Sequence, residues 1–241
     1  MNVTVVLPTY NERDNLPGLV PDILGRGDYR VLIVDDASPD GTGAVADALA
    51  REHPERVDVL HRRGRRGLGR SYVDAFRRVL ASGADLVCQM DADLSHDPAY
   101  LPALVAAARR FDVVIGSRYL HGVSVVNWPL HRIALSAAAN RYVRAITGAR
   151  VADCTSGFRC WRRDALGRIP LDRLVSNGYA FLIETLHEAL RHGARVGEVP
   201  IVFVERRHGH SKVSLDVLAE SLIMPWRVRL RARGRLRTGR P

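Results

Sequence analysis

Asp91-Ala92-Asp93-Leu94-Ser95-His96 sets two carboxylates directly behind an apolar run, Leu86-Val87-Cys88-Gln89-Met90, that reads as a buried strand. Asp97-Pro98 just beyond ends any pairing. In an α/β sheet this puts both acids at a strand's C-terminal end, where ligands bind. Asp91 and Asp93 face the same side while the chain stays extended. Two anions so close repel unless a cation or a shared proton compensates. Hard oxygen ligands with coordination to spare suit Mg²⁺ or Mn²⁺, which usually also takes substrate phosphates. A solvated acidic turn satisfies this motif taken alone, so the rest of the chain has to decide.

Two more acidic sites follow apolar runs in the same way. Glu12 comes after residues 3–7, and Asp35 and Asp36 after 31–34. Parallel strands put such ends on one sheet edge, so all of them can converge on one cleft. Pro8-Thr9-Tyr10-Asn11-Glu12 supplies a fixed turn, an aromatic face and a carboxylate, a set suited to a base and its ribose. Val34 to Thr42, read VDDASPDGT, adds carboxylates for ribose hydroxyls or base edges, or forms an elaborate turn.

The elements that must position these residues alternate along the first half, the pattern of a parallel sheet flanked by helices. Strands are expected at 3–7 (ended by Pro8), 29–34, 57–60, 86–90, 113–115 and 199–204. Helices are expected at 15–24, 42–53, 70–82, 99–110, 130–146 and 180–191, with an Arg/Gly-rich loop over 61–69. No repeat or linker divides the chain. One domain over 1–222 is expected, followed by a basic tail over 223–241 that frays, because a helix there would carry arginines all round.

The chain has 241 residues, of which 46% are hydrophobic and 26% charged, a globular balance. Three cysteines, Cys88, Cys154 and Cys160, have no metal-ligand spacing and fit buried thiols in a cytoplasmic protein. No signal peptide is expected before the first strand, and no apolar run reaches the roughly 18 residues of a membrane span. The formal charge is +10. It concentrates in Arg62, Arg63, Arg65, Arg66 and Arg70 and in seven arginines over 225–241, so anionic partners are expected. Aromatics at 6%, not interleaved with the arginines, argue against nucleic acid. A dehalogenase-type phosphatase would carry its Asp-x-Asp on the first core strand, whereas three strands precede it here.

PTYNE, VDDASPDGT, GLG, MDADLSH, GSRY, DCTSGFR, GYAFLIET and EVPIVFVERRHGHSK occur in the order seen in family 2 glycosyltransferases. The chain resembles that family over nearly its whole length, and is most similar to its polyprenol- and dolichol-phosphate mannose synthases. The resemblance implies a GT-A fold, a Rossmann-like α/β arrangement with a mostly parallel central sheet flanked by helices. It also implies GDP-mannose as donor, a polyprenyl phosphate as acceptor, and Mg²⁺ or Mn²⁺. UDP-glucose or UDP-N-acetylglucosamine is the alternative donor, since the motif residues bind groups common to all nucleotide sugars.

Carried onto matching positions, the resemblance implies that Pro8, Tyr10, Glu12, Val34, Asp36, Asp91 and Ala92 line the nucleoside pocket. Asp93, with Asp91, holds the metal, and Ser95 stands where some relatives have a metal-binding Gln. Arg118 of Gly116-Ser117-Arg118-Tyr119 meets phosphates in the cleft. Arg132 and Ser136, at i and i+4 on one helix face, grip the acceptor phosphate. Arg206 and Lys212 close over the donor diphosphate, with Gly209 letting that segment move. His96, His208 and His210 are not expected to act as bases. Relatives often carry membrane helices after the catalytic part. Their lack here leaves peripheral contact with the cytoplasmic face through basic residues, or a separate membrane partner.

Overall fold

The computed structural model describes residues 1–205 and 215–238. Along the first half run β1 (Val3–Thr9), α1 (Leu16–Gly25), β2 (Tyr29–Asp35), α2 (Thr42–Glu52), β3 (Val57–His61), α3 (Leu68–Ser82) and β4 (Leu86–Gln89). There follow α4 (Leu101–Ala107), β5 (Val113–Ser117), β6 (Val125–Val126), α5 (Leu130–Thr147) and β7 (Arg159–Arg162). The remainder is α6 (Arg163–Gly167), α7 (Ala180–Arg191), β8 (Val196–Pro200), β9 (Phe203–Val204) and α8 (Leu215–Thr238).

Seven strands form one sheet in the order β3-β2-β1-β4-β7-β5-β8, and β6 and β9 pair separately. Every pairing in the large sheet is parallel except those of β7, which runs antiparallel between β4 and β5. Strand alternation sorts the core into two layers. Val5, Leu7, Val31 and Ile33 pack with Leu19 and Ile23 of α1, Leu49 of α2 and Leu104 of α4. Val6, Leu32 and Val34 pack on the other face with Tyr72 and Phe76 of α3 and Phe181 of α7. Both faces are covered, as parallel sheets require.

Several expectations need correction. Pro8 does not end β1, which continues to Thr9 in register with Asp35. Its missing N–H falls on the β4 side, where β1–β4 pairing has already finished at Val6 and Gln89, so no ladder bond is lost. The expected strand over 199–204 is two, β8 and β9, parted at Pro200, beyond which Ile201 and Val202 bond to Ser117 O and the Tyr100 hydroxyl. The helix expected from residue 99 opens with a 3₁₀ turn, Pro98–Tyr100, and its α-helical part ends at Ala107. Over the described residues the tail is helical rather than frayed. One helix, α8, runs through residue 222 to Thr238, and Met224 and Val228 bury against Ala180 of α7.

β7 has no apolar run to announce it, because it begins and ends on arginine. Cys160 faces Cys88 across the β4 pairing, and Trp161 enters the opposite layer. Arg159 is wholly buried, yet its guanidinium donates to the carbonyls of Cys154 (2.8 Å), Ser156 (2.9 Å) and Leu182 (2.8 Å). Burial pulls its pKa down to about 10, so it remains a cation at neutral pH. This one side chain ties the 154–156 loop, next to the acidic motif, to α7. Arg159→Ala strips three buried carbonyls of their donor and should cost about 3 kcal/mol or more. Urea unfolding measures it; a loss below about 1 kcal/mol would mean that water replaces the guanidinium.

Candidate active site

β1 and β4 part company at their C-terminal ends, at the point where the strand order reverses, and a cleft of about 520 Å³ opens there. Each turn leading into it contains a residue in left-handed backbone: Asn11 (φ 59°) after β1, Ala37 (φ 56°) after β2 and Leu94 (φ 64°) after β4. Such conformations cost of order 1 kcal/mol for residues with a Cβ and gather at functional sites. The turns hold one another. Asn11 N–H donates to Ser38 Oγ (3.1 Å), and Glu12 N–H to Thr42 Oγ1 (3.0 Å). Asp40 accepts from the Thr42 N–H and hydroxyl, which outweigh its desolvation and lower its pKa.

Pro8, Tyr10, Glu12, Asp36, Asp91, Ala92 and Asp93 all line the cleft. Val34 does not. Its side chain is buried in the α3 layer, because alternation along β2 turns it away from the opening. Glu12 accepts from Asn15 Nδ2 (2.7 Å). Asp36 is fixed by the buried Arg62 guanidinium and by the Gly67 N–H (2.7 Å), and Arg62 also donates to Asp74 (2.8 Å). Arg66 lies 4.6 Å from the Tyr10 ring centre and donates to its hydroxyl.

Within the acidic motif Asp93 accepts from the Ser95 N–H (3.1 Å) and hydroxyl (2.5 Å). Ser95 therefore orients the carboxylate. His96 is buried against Phe158, and its Nδ1 accepts the Asp91 N–H (3.1 Å). Burial lowers its pKa to about 4, so it is neutral near pH 7. Among the described residues no three His, Cys, Asp or Glu side chains gather as a metal site. The Asp91 and Asp93 pair is a two-carboxylate set, which suits a hard cation that completes its shell with water and substrate oxygens.

The residues expected to meet phosphates stand apart from that lining. Arg118 is not exposed to the cleft. Its guanidinium forks onto Asp153 (2.7 and 2.8 Å) and also donates to Thr155 Oγ1. Burial pushes the Asp153 carboxyl up, and Arg118 overrides it, holding the acid below its ordinary range. Arg132, on α5, pairs with Glu205 and lies 4.1 Å from the Trp128 ring centre. Ser136 is half-buried one turn further along α5, and its carbonyl accepts from Asn140. Arg206 and Lys212, with His208, Gly209 and His210, lie outside the described residues.

Thr9, Gly67, Leu68, Ser71, Asn177, Gly178, Tyr179 and Glu220 complete the lining. The glycines of Gly67-Leu68-Gly69 were the available signal. A Cβ on Gly67 would sit 1.8 Å from Asn177 Oδ1, and one on Gly69 would sit 2.3 Å from the Ser176 carbonyl. The α3 N-terminus thus docks directly on 176–177. Nothing in the sequence marks Asn177 or Glu220.

Residues 4–169 match the family model described as Glycosyl transferase family 2. An undecaprenyl-phosphate mannosyltransferase from Micrococcus luteus is 45% identical over 236 residues, covering 97% of this chain and 96% of that protein. A polyprenol monophosphomannose synthase from Mycolicibacterium smegmatis is 43% identical over 244 residues, 97% of this chain and 91% of the other. Among solved structures, glucosyl-3-phosphoglycerate synthase from Mycobacterium tuberculosis superimposes with a TM-score of 0.68 at 21% identity, covering 95% of this chain and 80% of that one. Its complex with Mn²⁺, uridine-diphosphate and phosphoglyceric acid gives 0.67 at 20% identity, covering 95% and 78%. That likeness concerns the fold, which is of the GT-A type.

Gly67 has φ +146°, a region that a side chain rarely adopts, and its neighbour leaves no room for one. Gly67→Ala should cost about 2 kcal/mol or more. An unchanged urea midpoint would show that α3 and the 176–177 segment separate freely.

Proposed function

The chain belongs to glycosyl transferase family 2, and from that premise we propose that it transfers mannose from GDP-mannose to a polyprenyl phosphate. The observation that carries this reading is the convergence of Glu12, Asp36, Asp91 and Asp93 around one cleft beside Tyr10. The names of two relatives above 40% identity support the sugar and the acceptor.

In this reading Tyr10, Glu12 and Asp36 hold the nucleoside, with Asp91 and Ala92 beneath it. Asp93 with Asp91 holds Mg²⁺ or Mn²⁺, which supplies positive charge to the diphosphate as it leaves. Arg206 and Lys212, matched from the family motif, are assigned to that same charge. The bond from mannose C1 to the diphosphate oxygen breaks while a lipid phosphate oxygen bonds to C1 from the opposite face. The product is therefore β-linked, and GDP departs. The nucleophile is already anionic and needs positioning rather than a base. The buried, neutral His96 is consistent with that economy.

Arg132 and Ser136 are the proposed acceptor grip. Arg132 then exchanges Glu205 for the phosphate. Arg118 backs the grip from behind, through Thr155 to Asn140 and so to the Ser136 carbonyl.

The acceptor's lipid tail asks for a surface. No described helix is long and apolar enough to cross a membrane. Leu130 and Leu135 of α5, and Leu222, Ile223, Trp226 and Leu230 of α8, are each at least half exposed. Tyr142 joins the two helices, donating to the Leu222 carbonyl (2.7 Å) and accepting from Trp226 Nε1 (2.9 Å). α5 contains Arg132, Arg141 and Arg144 and no acid. Apolar side chains among arginines suit peripheral contact with anionic lipid, and we place that contact on the cytoplasmic face.

Labelled GDP-mannose, UDP-glucose and UDP-N-acetylglucosamine, offered with polyprenyl phosphate and Mg²⁺ or Mn²⁺, test the reading. Label should enter lipid from GDP-mannose alone, and both EDTA and Asp93→Ala should abolish it. Transfer only from a UDP-sugar would replace the donor, and no labelled lipid from any donor would sink the acceptor. Arg132→Ala should raise the acceptor KM about tenfold with donor KM unchanged. Loss of donor affinity instead would move Arg132 to the other half of the cleft.

A further inference from the structure

We propose that Glu220, on α8, is a positioning residue for the nucleotide. Its carboxylate fixes the 175–178 segment, of which Asn177 and Gly178 form part of the cleft wall. The inference rests on the reading of the cleft as the donor site.

Four successive backbone N–H groups in this wall end on two carboxylates. Glu184 of α7 accepts from Val175 (3.1 Å) and Ser176 (3.0 Å), and from the Ser176 hydroxyl (2.7 Å). Glu220 accepts from Asn177 (3.0 Å) and Gly178 (3.2 Å), one on each oxygen. The opposite side of the wall grips the α3 N-terminus. The Asn177 carbonyl accepts from Gly69 N–H (3.0 Å), and its Nδ2 donates to the Arg66 carbonyl (3.1 Å). Gly67, packed on Asn177, is also the residue whose N–H fixes Asp36. A continuous set of contacts thus leads from α8 to the carboxylate assigned to the nucleoside.

α8 supports both carboxylates. It contributes Glu220 directly, and its Arg231 pairs with the buried Glu184 (3.0 Å). Residues 175–178 and α8 all lie beyond 4–169, the part of the chain that matches the family model. Charge-assisted bonds to backbone N–H groups are stronger than neutral ones. A glutamine here would present one acceptor and turn its NH₂ toward the second N–H, so one bond is lost and a repulsion is gained.

Calorimetric titration of the full chain with GDP and with UDP, in Mg²⁺, tests this alongside lipid-transfer kinetics. Glu220→Gln should raise the Kd of whichever nucleotide the wild type binds by about tenfold. The donor KM should rise with it, while kcat and the acceptor KM stay within about twofold. Glu220→Asp, which keeps the charge but is one methylene shorter, should fall between the two and serves if the glutamine variant does not fold. Arg231→Gln should weaken the same nucleotide about threefold. An unchanged Kd in Glu220→Gln, or equal losses in kcat, donor and acceptor constants, would overturn the positioning role. Wild-type binding of UDP alone would overturn the proposed donor and leave this inference to be judged on UDP. Binding of neither nucleotide would overturn both.

Discussion

Parallel strands deliver their C-terminal turns to one edge, and here those turns bring Glu12, Asp36, Asp91 and Asp93 to a single cleft. Like charges about 6 Å apart near a protein surface repel by roughly 3 kcal/mol. The surrounding structure answers that repulsion group by group. Asp36 is neutralised from within by Arg62, Glu12 is steadied by the amide of Asn15, and Asp93 by the hydroxyl and N–H of Ser95. Arg159 brings the adjoining loop against the motif without contributing a carboxylate partner, since its donors go to carbonyls and the Thr185 hydroxyl. Asp36 is paired with the Arg62 guanidinium, and Asp91 and Asp93 form a two-carboxylate set of the kind that suits a hard cation.

The layer order was legible because it rests on apolar-rich runs of three to six residues with charged or Gly/Pro turns between them. Those runs gave β1 to β5 and most helices within two or three residues. β7 was not legible. Its arginines suggest a surface loop, and the burial of Arg159 depends on the carbonyls of Cys154 and Ser156 in the adjoining turn and of Leu182 on α7. The tail misread has a different origin: among the described residues of α8 the buried apolar side chains Met224 and Val228 are too sparse a signal to stand out among the arginines.

Within the site, the acidic residues announced themselves by following strands, and Tyr10 by its neighbours. Val34 was assigned by motif position alone, and the alternation of β2 turns it inward. Arg118 and Arg132 were assigned to phosphates, and a sequence does not show that Asp153 and Glu205 pair with them. Glu220 meets backbone N–H groups and the Asn177 side chain a backbone carbonyl, partners that leave no mark on residue type. Side chains that recognise main chain are the part of an active site least visible in sequence.

The cleft draws on Pro8 and on Glu220, positions separated by nearly the whole described chain. During synthesis, no intermediate length that lacks α8 can present the finished cleft, however well its sheet has formed. Ligand and chain completion are therefore linked in time. The same span means that any ligand bound in the cleft is felt globally. At a hundredfold excess over Kd it would deepen the native state by about 2.7 kcal/mol, provided it binds only the folded form. A shift in melting temperature then reports on a wall some 170 residues away in sequence from the strand it faces.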